Sequence, residues 1–342
     1  MSDPRFSLQP HVDRVYAGEP PELAMNAESR AQFRAWQQKL RAKVIDVLGL
    51  EGRGVPESPQ AEHLESTQRD GYVEEKYALA VGEGVEAPVY LLVPEVDPPY
   101  RPIVVFHGHS PRVQPILGNY EDEKKAQEGL ARDSNYAQAL AQAGFLVCAV
   151  EQRGFGERLT DGTYGAGFPR SCRHLSFEYM MEGRTLVGER CWDGMCAISF
   201  MQDRTDVVKD VMGCTGNSGG GTTALWLSAI DERVTVSIPS CYFSSFKKSI
   251  LAMQHCECNY VPHILKWAEM GDLTSLIAPR ALRIVSGEND PIFPIDGVRE
   301  QYETVERAYE LADAPEMCDL AVHPNAHRYD HALSHEWFRE WL

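Results

Sequence analysis

The spacing of apolar positions changes along this chain, and each change marks an element. Between residues 27 and 48, Phe33, Trp36, Leu40, Val44, Val47 and Leu48 recur at three- and four-residue steps, which makes one apolar helical face. Gly49 and the glycine- and proline-containing run at 52–56 close that helix. Two β-like runs follow, 72–81 and 87–93, separated by Gly82-Glu83-Gly84, and an antiparallel hairpin is expected.

Short uninterrupted apolar runs come next. Residues 102–106 and 144–150 read as strands buried on both faces, with a helix expected over 134–143. Residues 198–208 lead into a further strand that ends near Cys214. Strands are also expected at 234–238, 280–285 and 320–322, with helical segments at 260–277 and 335–342. Strands alternating with helices predict one doubly wound, mostly parallel sheet covered on both sides. Residues 1–68 are expected to be an N-terminal helical extension packed on a main domain of residues 69–342. The stretch 159–190 is rich in Gly, Arg and aromatic residues without clear periodicity, and is read as a lid or pocket wall.

Composition narrows the function classes. The 342 residues suffice for a large core, and 43% hydrophobic with 24% charged residues is ordinary for a globular protein. A formal net charge of −17 argues against nucleic acid or an anionic membrane as partner. No run approaches the roughly 18 apolar residues of a membrane span. The first ten residues lack a basic region followed by an apolar one, so a cytoplasmic protein with reduced cysteines is expected. No cofactor is implied, and a homo-oligomer is compatible with the sequence.

The chemistry centres on Gly216-Asn217-Ser218-Gly219-Gly220, placed between a strand-like run and the helical residues 221–230. A serine on so sharp a strand-to-helix turn needs small neighbours, and Gly216 and Gly220 supply them while leaving the Ser218 hydroxyl exposed. In open α/β sheets, ligands bind beyond the carboxyl ends of the strands. Three other segments put polar residues there. His107-Gly108-His109-Ser110 follows the strand at 102–106, and the backbone N–H of His109, with that of Gly219, is the expected oxyanion hole. Asp290, after the strand at 280–285, is the expected acid, with Glu288 a weaker alternative.

Among His323, His327, His331 and His335, His327 in its loop is the expected general base. Pro324 and Asn325 prevent these four from forming one metal-binding helix face. Arg153, Trp192 and Tyr242, with Tyr164, Phe243 and Trp267, are candidate pocket residues. Cys256-Glu257-Cys258, with His255 beside it and Cys241 upstream, lacks the Cys-x-x-Cys spacing of common zinc sites, so packing is expected and no metal.

Ser, Asp and His in that chain order resemble the α/β-hydrolase superfamily, and more narrowly its dienelactone-hydrolase-like and acetyl xylan esterase-like branch. The resemblance rests on residues 213–222, Ile277-Ala278-Pro279-Arg280, residues 287–294, Ala326-His327-Arg328 and the Gln152-Arg153-Gly154-Phe155-Gly156 turn, and spans roughly residues 70–342. It implies an α/β-hydrolase fold and a serine carboxylic-ester hydrolase working through Ser218, Asp290 and His327, with a small or carbohydrate ester such as an acetylated sugar as substrate. The alternatives are a prolyl-oligopeptidase-like peptidase and a non-catalytic binding protein on the same scaffold.

Overall fold

In the computed structural model, which describes residues 3–18, 20–160 and 171–342, two helices open the chain, α1 (Gln9–Tyr16) and α2 (Arg30–Val47). The Ser29 hydroxyl caps α2 by accepting from the Gln32 N–H, and the predicted face of Phe33, Trp36, Leu40 and Val44 is buried. Gln37 on that face donates its side-chain N–H to the carbonyls of Ser275 (3.2 Å) and Ala278 (2.8 Å), fastening α2 to the body of the protein.

Among the described residues one nine-stranded sheet runs through the molecule. Its strands are β1 (Ala61–Arg69), β2 (Tyr72–Gly82), β3 (Val85–Pro94), β4 (Pro102–Phe106), β5 (Leu146–Val150), β6 (Gly213–Asn217), β7 (Val236–Ser240), β8 (Ala281–Gly287) and β9 (Cys318–His323), in the order β1-β2-β3-β5-β4-β6-β7-β8-β9. Antiparallel pairing holds from β1 to β5, and parallel pairing from there to β9. The fold is thus the expected α/β-hydrolase arrangement. The sheet begins at Ala61, inside the segment 1–68 expected to be helical extension. β1 carries no alternating apolar signal because it is an exposed edge strand, protected by charge rather than by burial.

Nine helices follow α2 among the described residues: α3 (Glu123–Leu130), α4 (Tyr136–Gln142), α5 (Cys172–Met181), α6 (Leu186–Gln202), α7 (Gly219–Ile230), α8 (Ile264–Trp267), α9 (Met270–Ser275), α10 (Ile295–Ala312) and α11 (His331–Trp341). Successive residues of β4 and β5 point to opposite faces. Val104, Phe106, Cys148 and Val150 join α2, α6, α7, α9 and α10 in one core, while Ile103, Val105, Val147 and Ala149 pack with α4 and α11 in the other.

Two helices differ from the expected pattern. Residues 198–202 are the end of α6 rather than an approach to a strand; α6 is buried on nearly every side, so it shows no apolar stripe. The expected helix at 260–277 is divided, because Glu269 and Asp272 form a capping box that starts α9 afresh. α10 is a further helix, not among the expected elements, although Val298, Val305, Ala308 and Ala312 are buried along it. No helix among the described residues is long and apolar enough to cross a membrane.

The sheet order places the site. β4 lies between β5 and β6, so the chain leaves it toward one side and returns on the other. That reversal opens a crevice beyond the carboxyl ends of β4 and β6.

Candidate active site

Ser218 is the single residue between β6 and α7, with φ 57° and ψ −119°, a conformation that L-residues rarely adopt. Its N–H donates to the Ser240 carbonyl (2.9 Å) and its own carbonyl accepts from the Thr222 N–H (2.8 Å), so the strained turn is anchored at both ends. The glycines are required by close approach. A methyl on Gly216 would lie 2.5 Å from the Gly220 carbonyl and 2.6 Å from the Phe106 oxygen, and one on Gly220 would run into the Phe106 carbonyl itself. Gly108 is held to glycine in the same way by the Asn217 oxygen, 2.9 Å from where its Cβ would be. The turn after β4 therefore packs directly on the serine turn. Among the described residues neither the His109 N–H nor the Gly219 N–H has a hydrogen-bond acceptor, so both are free to bind an anion.

His107 is fully buried and ties this turn to its neighbour. It accepts the Gln152 N–H at Nε2 (3.1 Å), and its Nδ1 lies 2.8 Å from the Gly108 carbonyl. Burial pushes its pKa down to about 3, which keeps the ring neutral. The Gln152 side chain also bonds the His107 carbonyl and the Thr223 hydroxyl on α7. Gln152 is thus a positioning residue, visible in the sequence only as part of the turn after β5.

Beyond β8 and β9 the structure brings Asp290 and His327 together, with His327 Nδ1 2.7 Å from Asp290 Oδ2. The other Asp290 oxygen accepts from the N–H groups of Ile292 (2.8 Å) and Phe293 (3.1 Å). Burial raises the Asp290 pKa, but the hydrogen bond and charge of His327 and these two N–H groups outweigh it and leave the carboxyl below its ordinary value. The Phe293 ring stacks on His327 at 5.9 Å, and the Cys241 thiol donates to the Arg328 carbonyl (3.1 Å), steadying the histidine loop. Glu288 instead pairs with Arg299 at 2.8 Å on the surface. His323 is buried against the Arg328 carbonyl, and His331 lies beside Asp133 and stacks on His335, so these histidines serve the packing of α11.

Ser218, Gly219, His109 and His327 line one cavity of about 530 Å³, within the size range of small-molecule sites. Ile292, Phe293, residues 253–257 and Asn259 complete its wall. The loop at 253–259 is the part of the site that the sequence did not mark as functional, although Cys256 and Cys258 stand out in it. Asn259 is held by the Thr222 hydroxyl (2.9 Å), which locks the loop onto α7.

The expected pocket residues lie elsewhere. Arg153 is buried in ion pairs with Glu189 (2.7 Å) and Asp193 (2.8 Å), and Arg158 shares Asp193. Trp192 donates to the Val81 carbonyl (2.7 Å) and packs under Arg53. Tyr242 is fully buried and accepts from Trp226 Nε1 (2.9 Å); Phe243 is buried too, and the Trp267 ring packs against Lys43 and Lys266. Tyr164 lies outside the described residues. An aromatic or arginine near a strand end has the same sequence signature whether it points into a crevice or packs elsewhere; Arg153, Tyr242 and Phe243 are buried, and Trp192 and Trp267 are half-buried under basic side chains.

Residues 2–336 match the sequence profile of the Abhydrolase family. The Bacillus subtilis (strain 168) protein named "Putative hydrolase YtaP" is 26% identical over 293 residues, covering 82% of this chain and 92% of that protein. A Bacteroides fragilis structure titled a "putative acetyl xylan esterase" is similar with a TM-score of 0.78 at 16% identity, covering 98% of this chain and 95% of that one. A glucuronoyl esterase from Solibacter usitatus is similar with a TM-score of 0.67 at 14% identity, covering 94% and 96%.

Proposed function

Because the chain belongs to the Abhydrolase family, we propose that it is a serine carboxylic-ester hydrolase with Ser218 as nucleophile, His327 as general base and Asp290 as the carboxylate that orients it. The observation that carries this reading is the 2.7 Å contact of His327 Nδ1 with a buried Asp290, in a loop whose imidazole shares one cavity with the strained Ser218.

With Nδ1–H donated to the carboxylate, Nε2 is the ring nitrogen left to take a proton. His327 removes the Ser218 proton as the hydroxyl oxygen attacks the ester carbonyl, and Asp290 stabilises the imidazolium without accepting its proton. The N–H groups of Gly219 and His109 hold the negative oxygen of the tetrahedral intermediate. Collapse expels the alcohol, which takes the proton from His327 and leaves an acyl-serine. Water, deprotonated by the same imidazole, then releases the acid and restores Ser218.

An ester on a sugar is the proposed substrate class. It is supported by the structural neighbours named as carbohydrate esterases and by the polar side chains of Gln254, Glu257 and Asn259 on the cavity wall. The test is hydrolysis of p-nitrophenyl acetate and of acetylated monosaccharides by wild type and Ser218→Ala. The variant is expected to fold and to lose turnover of both; wild-type turnover in it would overturn the nucleophile assignment.

A further inference from the structure

We propose that His109, Cys256 and Cys258 form a binding site for a thiophilic divalent cation, with Zn²⁺ as its representative, in the wall of the Ser218 cavity. One donor atom from each of the three residues lies within 4.8 Å of the other two, and His109 Nε2 is 3.2 Å from Cys258 Sγ. A tetrahedral zinc ion, with Zn–S near 2.3 Å and Zn–N near 2.0–2.1 Å, holds its donors roughly 3.5–4 Å apart. The side chains therefore stand close to ligating separation already. No sequence spacing announces this set, because His109 comes from the turn after β4 and Cys258 from a loop 149 residues later.

A second observation is independent of that geometry. Arg190 on α6 is 1% exposed, and among the described residues it has no carboxylate partner. Its guanidinium donates to the Arg153 carbonyl (2.7 Å) and to Cys172 Sγ (3.2 Å) and lies over the Phe155 ring. A buried guanidinium keeps its charge and needs an anion beside it. The groups gathered there are thiols: Cys172, Cys256 and Cys258 share one cluster with Phe155 and Leu186.

Zn²⁺ with two thiolates and a neutral imidazole carries no net charge. That neutral set adds no second positive charge beside the Arg190 guanidinium. The ring of His109 also lies against Gly219, where an added Cβ would sit 2.6 Å from His109 Cε1. A bound ion would thereby brace the β4 turn against the serine turn.

The test uses the full chain, reduced, stripped with a chelator and titrated anaerobically with Co²⁺. One cobalt per chain is expected, with the intense thiolate-to-metal absorption of tetrahedral sulfur coordination, displaced stoichiometrically by Zn²⁺. Cys256→Ser and Cys258→Ser should lose that absorption, and Cys318→Ser, on distant β9, should keep it. Circular dichroism checks that each variant is folded, and the wild-type titration decides the matter even where one is not. Absence of stoichiometric cobalt, cobalt bound without the thiolate absorption, or undiminished absorption in both folded cysteine variants would overturn the site. The readout is metal rather than turnover, so its failure leaves the esterase reading untouched.

Discussion

His327 and His109 both line the cavity that holds Ser218, yet a carboxylate stands behind the one and thiols beside the other. The difference teaches how surroundings fit one residue type for two proposed tasks. With Nδ1 engaged by Asp290, the His327 ring is oriented with Nε2 left to take a proton, as the proposed base requires. His109 has Nε2 against Cys258 and its ring against Gly219, so in the proposed mechanism it serves through its backbone N–H. Cavity position is shared; the group behind the ring separates the roles.

The largest effect that could break this comparison is His327→Ala. Loss of the base is expected to lower kcat by about 10⁵–10⁶-fold, as for members of such a catalytic unit. Asp290→Asn should follow at about 10⁴-fold, since the neutral amide no longer selects the tautomer that leaves Nε2 free. His109→Ala should lower kcat by roughly 10-fold or less, because the N–H survives; loss of an oxyanion donor itself would cost about 10²–10³-fold. A loss for His109→Ala as large as that for His327→Ala would erase the distinction. All three are read from steady-state kinetics on p-nitrophenyl acetate.

The smallest expected effect concerns a histidine outside the cavity. Burial, with the nearby His331 and Arg339, lowers the His335 pKa from 6.5 to about 4. The unfolded chain therefore binds this proton first as pH falls. The stability contributed by the neutral ring is complete above pH 6.5 and is lost as pH falls from there through about 4. His335→Gln should make Tm fall less steeply across that window in a thermal melt series, with esterase kinetics at neutral pH unchanged.

Much of the framework was legible because its signals are local. Residues 102–106 and 144–150 read as buried runs and contain β4 and β5, and Ser218, Asp290 and His327 were each marked by the loop that follows a strand. What escaped depends on distant contact. The burial of α6 on nearly all sides removed its stripe, and the exposure of β1 removed its alternation. Arg153 looked like a pocket residue until Glu189 and Asp193 were placed beside it by the fold. Cys256 and Cys258 read as packing and do lie in an apolar cluster, whereas their closeness to His109 is set by the fold and not by any local spacing.

The central claim is that the imidazole backed by Asp290 activates Ser218 and no other hydroxyl. Labelling the folded protein with a fluorophosphonate, then locating the adduct by peptide mass spectrometry, tests it most directly. One phosphonylated residue per chain is expected, at Ser218, formed far more slowly in His327→Ala. An unlabelled protein, or a label on a different side chain, would contradict the account.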